Sequence, residues 1–151
     1  MAIKDEKPTV LMDSEMTNLR NESDLDKFLE ENDSNMFTLR VRDYLMKMMV
    51  QYDMDKKDII PRSGLATSYA HNIFNGDKGD KAKFGRDKLI MLAIGFPLTL
   101  EETNKLLKFG GHSPLYSKNR RDAIIMFAIG KKYSYMKTNE CLDERGEEPL
   151  V

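Results

Sequence analysis

The stretch that decides the fold is Met54-Asp55-Lys56-Lys57-Asp58-Ile59-Ile60-Pro61-Arg62-Ser63-Gly64-Leu65-Ala66-Thr67-Ser68-Tyr69-Ala70-His71-Asn72-Ile73-Phe74-Asn75-Gly76. Asp55 is a residue type that caps a helix, because its carboxylate accepts from first-turn N–H groups. Gly64 supplies the positive φ that a tight turn needs, and Leu65 can plug the angle between two helices. A second helix then runs from about Thr67 and ends at Gly76. The whole reads as two helices joined by a short turn. Pro61 falls inside the first of them, where a missing N–H and a ring clash predict a bend costing about 3 kcal/mol in a regular helix.

Outward from this unit the apolar spacing of three and four continues from Phe37 onward and strand alternation is weak, which predicts an all-α protein. Upstream, a Met-rich helix from about Thr38 to Gln51 is expected to turn Leu39, Leu45, Met46, Met49 and Val50 inward. Residues 1 to 35 read as an acidic arm: 1 to 22 are aperiodic apart from Val10, Leu11 and Met12. Ser23 is the expected cap of a short helix over Asp24 to Glu31, with Leu25, Phe28 and Leu29 on one side. Downstream, a 35-residue displacement lays 86 to 115 over 121 to 150 without a gap, and thirteen of thirty positions match. Arg86-Asp87 pairs with Arg121-Asp122, Ile90-Met91 with Ile125-Met126, Ala93-Ile94-Gly95 with Ala128-Ile129-Gly130, Thr103-Asn104 with Thr138-Asn139, and Pro114-Leu115 with Pro149-Leu150. Each copy reads as a helix ended by Gly, a link, a second helix beginning near Thr99 or Ser134, another Gly, and a closing Pro-Leu. Two copies are too few for a solenoid, so the duplication should extend one domain. The expected organisation is an arm at 1–35, a core domain at 36–111, and a duplicated hairpin at 112–151 packed on the same domain.

Composition sets the outer bounds. With 151 residues, 40% hydrophobic and 32% charged, the chain can build a real core under a charged surface. No run approaches the roughly 20 apolar residues of a membrane helix, and Met1 to Pro8 carries charges instead of a hydrophobic signal core. An intracellular, cytoplasmic protein with no membrane partner is expected. One cysteine and two histidines leave neither an internal disulfide nor a Cys/His zinc cage, so no metal or other cofactor is anticipated. The net charge of −1 hides a segregation: 1–35 carry ten acidic and four basic residues, 36–139 ten and nineteen, and 140–151 five and one. The middle of the chain is basic enough to meet a polyanion.

Ser63-Gly64-Leu65, followed at the correct distance by Ile73-Phe74-Asn75-Gly76, resembles the helix-turn-helix of the phage lambda repressor and Cro type, the XRE family. The likeness continues through Asp87 to Gly111 as fourth and fifth helices. It implies a lambda-repressor-like five-helix domain, here extended by the second hairpin, acting as a sequence-specific regulator of transcription, most simply a repressor. Its partner would be double-stranded DNA, bound as a homodimer because two-fold proteins match palindromic half-sites. The resemblance puts the second helix of the motif, 67–75, in the major groove, with Thr67, Ser68 and His71 at base edges and Tyr69 and Asn72 as further candidates. Lys56 and Asn75 fall where phosphate contacts are made. Lys78, Lys81 and Lys83, on a link longer than the family's usual one, are candidate additional phosphate contacts. Short hydroxyls and an imidazole can read base edges, whereas a lysine and an amide hold the backbone.

Three departures from the family pattern involve four positions. Besides Pro61, Ile60 stands where the family has a small alanine and Ala70 where it has a large aliphatic residue, a reciprocal exchange that keeps interhelical volume. Lys56 replaces the usual glutamine and so loses an acceptor. Elsewhere, His112 has no expected role, and Cys141, aligned with Leu106, is expected to be a buried apolar side chain. No nucleophile elbow, P-loop, dinucleotide fingerprint or paired-carboxylate motif is present, so no enzymatic activity is expected. The alternative function is a non-catalytic helical protein–protein interaction module, with the duplicated hairpin as docking surface for a protein partner.

Overall fold

The computed structural model describes residues 9–32, 41–76 and 84–151, and every regular element among them is an α-helix. Two compact units are present, Met1–Thr38 and Leu39–Val151.

The first unit contains α1 (Thr9–Thr17) and α2 (Glu22–Glu31). The cap of α2 is Asn21, whose side-chain oxygen accepts the Asp24 N–H at 2.8 Å, and Ser23 lies inside the helix. Asn21 wins over Ser23 because it places Asp24 at the third helical position, where its carboxylate reaches back to the Arg20 N–H at 3.0 Å. Phe28 is buried, but Leu25 and Leu29 are exposed. No pattern announces α1, since its Val10, Leu11 and Met16 are all exposed and make no inward stripe. Asn32 closes α2, its amide donating to the Phe28 carbonyl at 3.0 Å and to Glu15 of α1 at 3.4 Å.

The second unit begins with α3 (Val41–Tyr52), followed by α4 (Lys56–Ser63), α5 (Thr67–Asn75), α6 (Arg86–Gly95) and α7 (Leu100–Phe109). The inward face of α3 is Val41, Tyr44, Leu45 and Met48, while Met46 and Val50 point to solvent. The expected stripe was rotated toward the methionines. Tyr44 takes the inward place because its hydroxyl finds a partner there, donating to the Glu102 carbonyl at 3.1 Å. Leu39 lies outside the described residues.

The centre of the unit is α6, whose Leu89 through Gly95 are all buried. A helix apolar all round must be surrounded, and α4, α7 and the second hairpin pack on different sides of it. α6 ends at Gly95 as the spacing predicts, without a left-handed φ there; the left-handed glycines of the two hairpins are Gly111 and Gly146. Gly95 is needed for close packing, because a Cβ there would lie 2.8 Å from the Ile59 carbonyl oxygen and 3.1 Å from Ser63 Cβ. At the start of α7, Thr99 and Glu102 form a reciprocal capping box. Burial opposes ionisation of Glu102, but hydrogen bonds from Thr99, Tyr52 and Gln51 outweigh it and hold the carboxyl below its ordinary value. Burial and the Glu102 hydrogen bond push the Tyr52 phenol up to about 12.

The duplicated hairpin is α8 (Arg120–Gly130) and α9 (Tyr135–Glu144). Thr99 and Ser134 both start their helices as N-caps, and Thr103 and Thr138 both donate to those caps' carbonyls at 2.8 Å. Asn104 and Asn139 each accept the backbone N–H of the closing leucine, Leu115 at 2.9 Å and Leu150 at 2.7 Å. Ile90 and Ile125 are both fully buried, whereas Met91 is buried and Met126 only half-buried. The repeated Arg-Asp pair explains how the copies join. Arg86 grips Asp122 with two hydrogen bonds of 2.9 and 2.8 Å, and Arg121 grips Asp87 with two of 2.9 and 2.8 Å. Each arginine also donates to the carbonyl before its own copy's Pro-Leu and to that proline's carbonyl. Reciprocal contacts of this kind are those of a self-complementary interface between two like units. Burial would raise the Asp122 carboxyl, but Arg86 and the Tyr116 N–H pull it below its ordinary value; the Asp87 hydrogen bonds raise Arg121. Cys141 is buried, as its alignment with Leu106 predicts. Among the described residues no helix is long and apolar enough to cross a membrane.

Candidate nucleic-acid interface

The unit α4–turn–α5 is built by local chemistry. Asp55 and Asp58 form the capping box that starts α4, and Gly64 ends it at φ 75°. Ser63 secures the turn from within: its buried hydroxyl donates to the Ile60 carbonyl at 2.7 Å and accepts the Leu65 N–H at 3.1 Å. Leu65 is buried under the corner, and the ring of Tyr135 from α9 occupies the space where a Gly64 side chain would stand. The helix runs through the exposed Pro61, while Ile60 and Ala70 are both buried.

α5 is amphipathic. Ala70, Ile73 and Phe74 are buried, and Thr67, Ser68, His71 and Asn75 are exposed. Three of the five expected base readers, Thr67, Ser68 and His71, therefore lie together on the solvent side of the first two turns. Asn72 is half-buried. Tyr69 is engaged with the start of α6: its ring meets Phe84 edge-on at 6.2 Å, its hydroxyl accepts the Gly85 N–H at 3.3 Å, and Lys88 stands over its face at 5.4 Å. The first turn of α5 has Ala66 at its cap and no acidic residue, so no side chain among the described residues caps its N–H groups. That leaves a positive helix end beside the exposed hydroxyls.

The two expected phosphate contacts converge although 19 positions separate them. Lys56 Nζ donates to Asn75 Oδ1 at 2.9 Å and sits 5.8 Å from the Phe74 ring centre. This bond orients the amide so that both Nδ2 hydrogens remain to donate to an anionic oxygen. Sequence reasoning missed Arg42 of α3, whose side-chain stem runs along Gly76, 3.1 Å from where a Cβ would be. It is exposed and stands at the same end of α5 as Asn75. Nothing in the linear order links positions 42 and 76; only the packing of α3 on α5 does. Lys78, Lys81 and Lys83 lie outside the described residues. His112 is half-buried, its Nε2 donating to the Phe84 carbonyl at 2.5 Å. Among the described residues no group of three or more His, Cys, Asp or Glu side chains could hold a metal ion.

Comparison of the chain with protein-family models, with curated proteins and with solved structures gave no match.

Proposed function

We propose that this chain is a sequence-specific DNA-binding regulator of the lambda-repressor-like, XRE type, a non-catalytic repressor that acts as a homodimer and reads the major groove with α5. The observation that carries the reading is the exposed Thr67, Ser68 and His71 stripe of α5 beside the bond that Lys56 of α4 makes to Asn75 of α5. Side chains suited to base edges and side chains suited to phosphates are thus both exposed on α5, which supports the reading. The basic middle of the chain supports it. Selection of bound fragments from random duplex DNA, followed by binding at several salt concentrations, is the test. A recovered palindromic site with a steep salt dependence is expected; no enrichment, or salt-independent binding, would refute it.

A second reading, a helical protein-interaction module, is favoured by one separate feature: the large apolar side chain of Phe127 on α8 is exposed.

A further inference from the structure

The duplication allows one hairpin to serve as the internal reference for the other. In the first, Leu92, Gly95, Phe96 and Leu98 are buried, and α4 packs on α6 with its backbone close against Gly95. The equivalent residues of the second are Phe127, Gly130, Lys131 and Tyr133. Phe127 is 54% exposed where Leu92 is 0%. A Cβ at Gly130 would meet nothing within 4 Å, where one at Gly95 would collide with α4. The second copy thus keeps the glycine that receives a helix in the first, and among the described residues of its own unit nothing stands over it. Its aromatic wall is already assembled, Tyr133 standing edge-on to Phe127 at 6.0 Å.

The rim says what kind of helix fits. Lys131, Lys132 and Lys137 replace Phe96, Pro97 and Glu102 of the first copy, so the cations are particular to the open copy. Lys131 Nζ lies 5.6 Å from the Phe127 ring centre and Lys137 Nζ 5.8 Å from that of Tyr133. Among the described residues Lys137 has one ion-pair partner, the exposed Glu140 at 3.6 Å. A second copy of this face would bring lysines against lysines, which opposes a symmetric pairing.

We propose that the face formed by Phe127, Gly130, Lys131 and Tyr133 docks an acidic amphipathic helix of a partner protein. A small or aliphatic ridge like that of α4 seats over Gly130, the aromatic pair covers its apolar side, and its carboxylates meet the lysine rim. The proposal names the partner class for the interaction-module reading and rests on it, while being independent of what α5 binds.

The test uses the full chain and a synthetic helical peptide that repeats the Ile-Ile-x-x-Ser ridge of α4 with glutamate elsewhere. A second peptide carries lysine in place of glutamate. Calorimetry should detect the acidic peptide and not the basic one. Gly130→Leu should weaken binding about tenfold or more by filling the seat, without lowering Tm, because no neighbour stands within 4 Å. Lys131→Glu should weaken the acidic peptide and gain affinity for the basic one, an exchange that misfolding cannot produce. The proposal fails if the acidic peptide does not bind, if both peptides bind alike, or if Gly130→Leu leaves binding unchanged. It also fails if sedimentation shows a dimer that Phe127→Ser dissolves, which would make the occupant a second copy. Loss of duplex DNA binding in the parent assay bears on α5 and leaves these outcomes separate.

Discussion

Asp122→Asn is the most informative single perturbation of the junction between the hairpins. The Asp122 side chain is 8% exposed and Arg86 24%, and the carboxylate accepts two hydrogen bonds from the guanidinium plus the Tyr116 N–H at 3.1 Å. Asparagine keeps one acceptor and sets an N–H₂ against the guanidinium donors. Breaking a fully buried pair costs about 3 to 5 kcal/mol. Arg86 reaches solvent and keeps its carbonyl partners at Ser113 and Pro114. The cost should therefore fall to about 2 kcal/mol, or roughly 8 °C in Tm for a unit of this size. The mirror change, Asp87→Asn, acts where the carboxylate is 31% exposed. It should cost only about 1 kcal/mol, roughly 4 °C, because water screens and replaces the lost bonds. Urea denaturation followed by circular dichroism measures both. If Asp87→Asn proves as damaging as Asp122→Asn, burial is not what ranks the two pairs and the reasoning fails.

The other expectations are independent of that one. Gly95→Ala should destabilise by about 1 to 3 kcal/mol through collision with α4, whereas Gly130→Ala should be neutral or gain up to about 1 kcal/mol from helix propensity; equal effects in thermal melts would contradict the asymmetry of the two faces. Alanine at Thr67, Ser68 or His71 should relax sequence preference by about 1 to 3 kcal/mol at one base pair. Lys56→Ala should instead weaken binding to every duplex and lower the salt slope by about one; anisotropy titrations on specific and scrambled duplexes distinguish these, and unaltered binding in all four refutes the DNA reading. Asp122 and Glu102 lie below their ordinary values of 3.8 and 4.5 in the folded chain. Their contribution is full above those values and is lost as pH falls through them toward the folded ones, so urea midpoints should drop as pH falls below about 5. Asp122→Asn should flatten that drop.

The sequence by itself determined the features that depend on near neighbours: helical class, the α4–turn–α5 unit, the cap at Asp55, the helix starts near Thr99 and Ser134, and the repeat of the hairpin. Caps, turns and amphipathic periods act over three or four residues, so they can be read directly from the linear order. Where the period is missing, as in α1, nothing local announced the helix. Where two stripes compete, as in α3, the choice fell to Tyr44, whose hydroxyl partner lies 58 positions away on Glu102. The Arg-Asp repeat was visible as identity between copies, but only the packed hairpins reveal that each arginine seeks the other copy's aspartate. The candidate interface divides in the same way. The exposed stripe of α5 follows from helical spacing, while the meeting of Lys56 with Asn75 and the approach of Arg42 to Gly76 required helices distant in sequence to cross. Gly95 and Gly130 make the same point most sharply, since identical residues in matched helices become a buried contact and an open seat. Burial is a property of what packs above a surface, and that is decided by the rest of the chain.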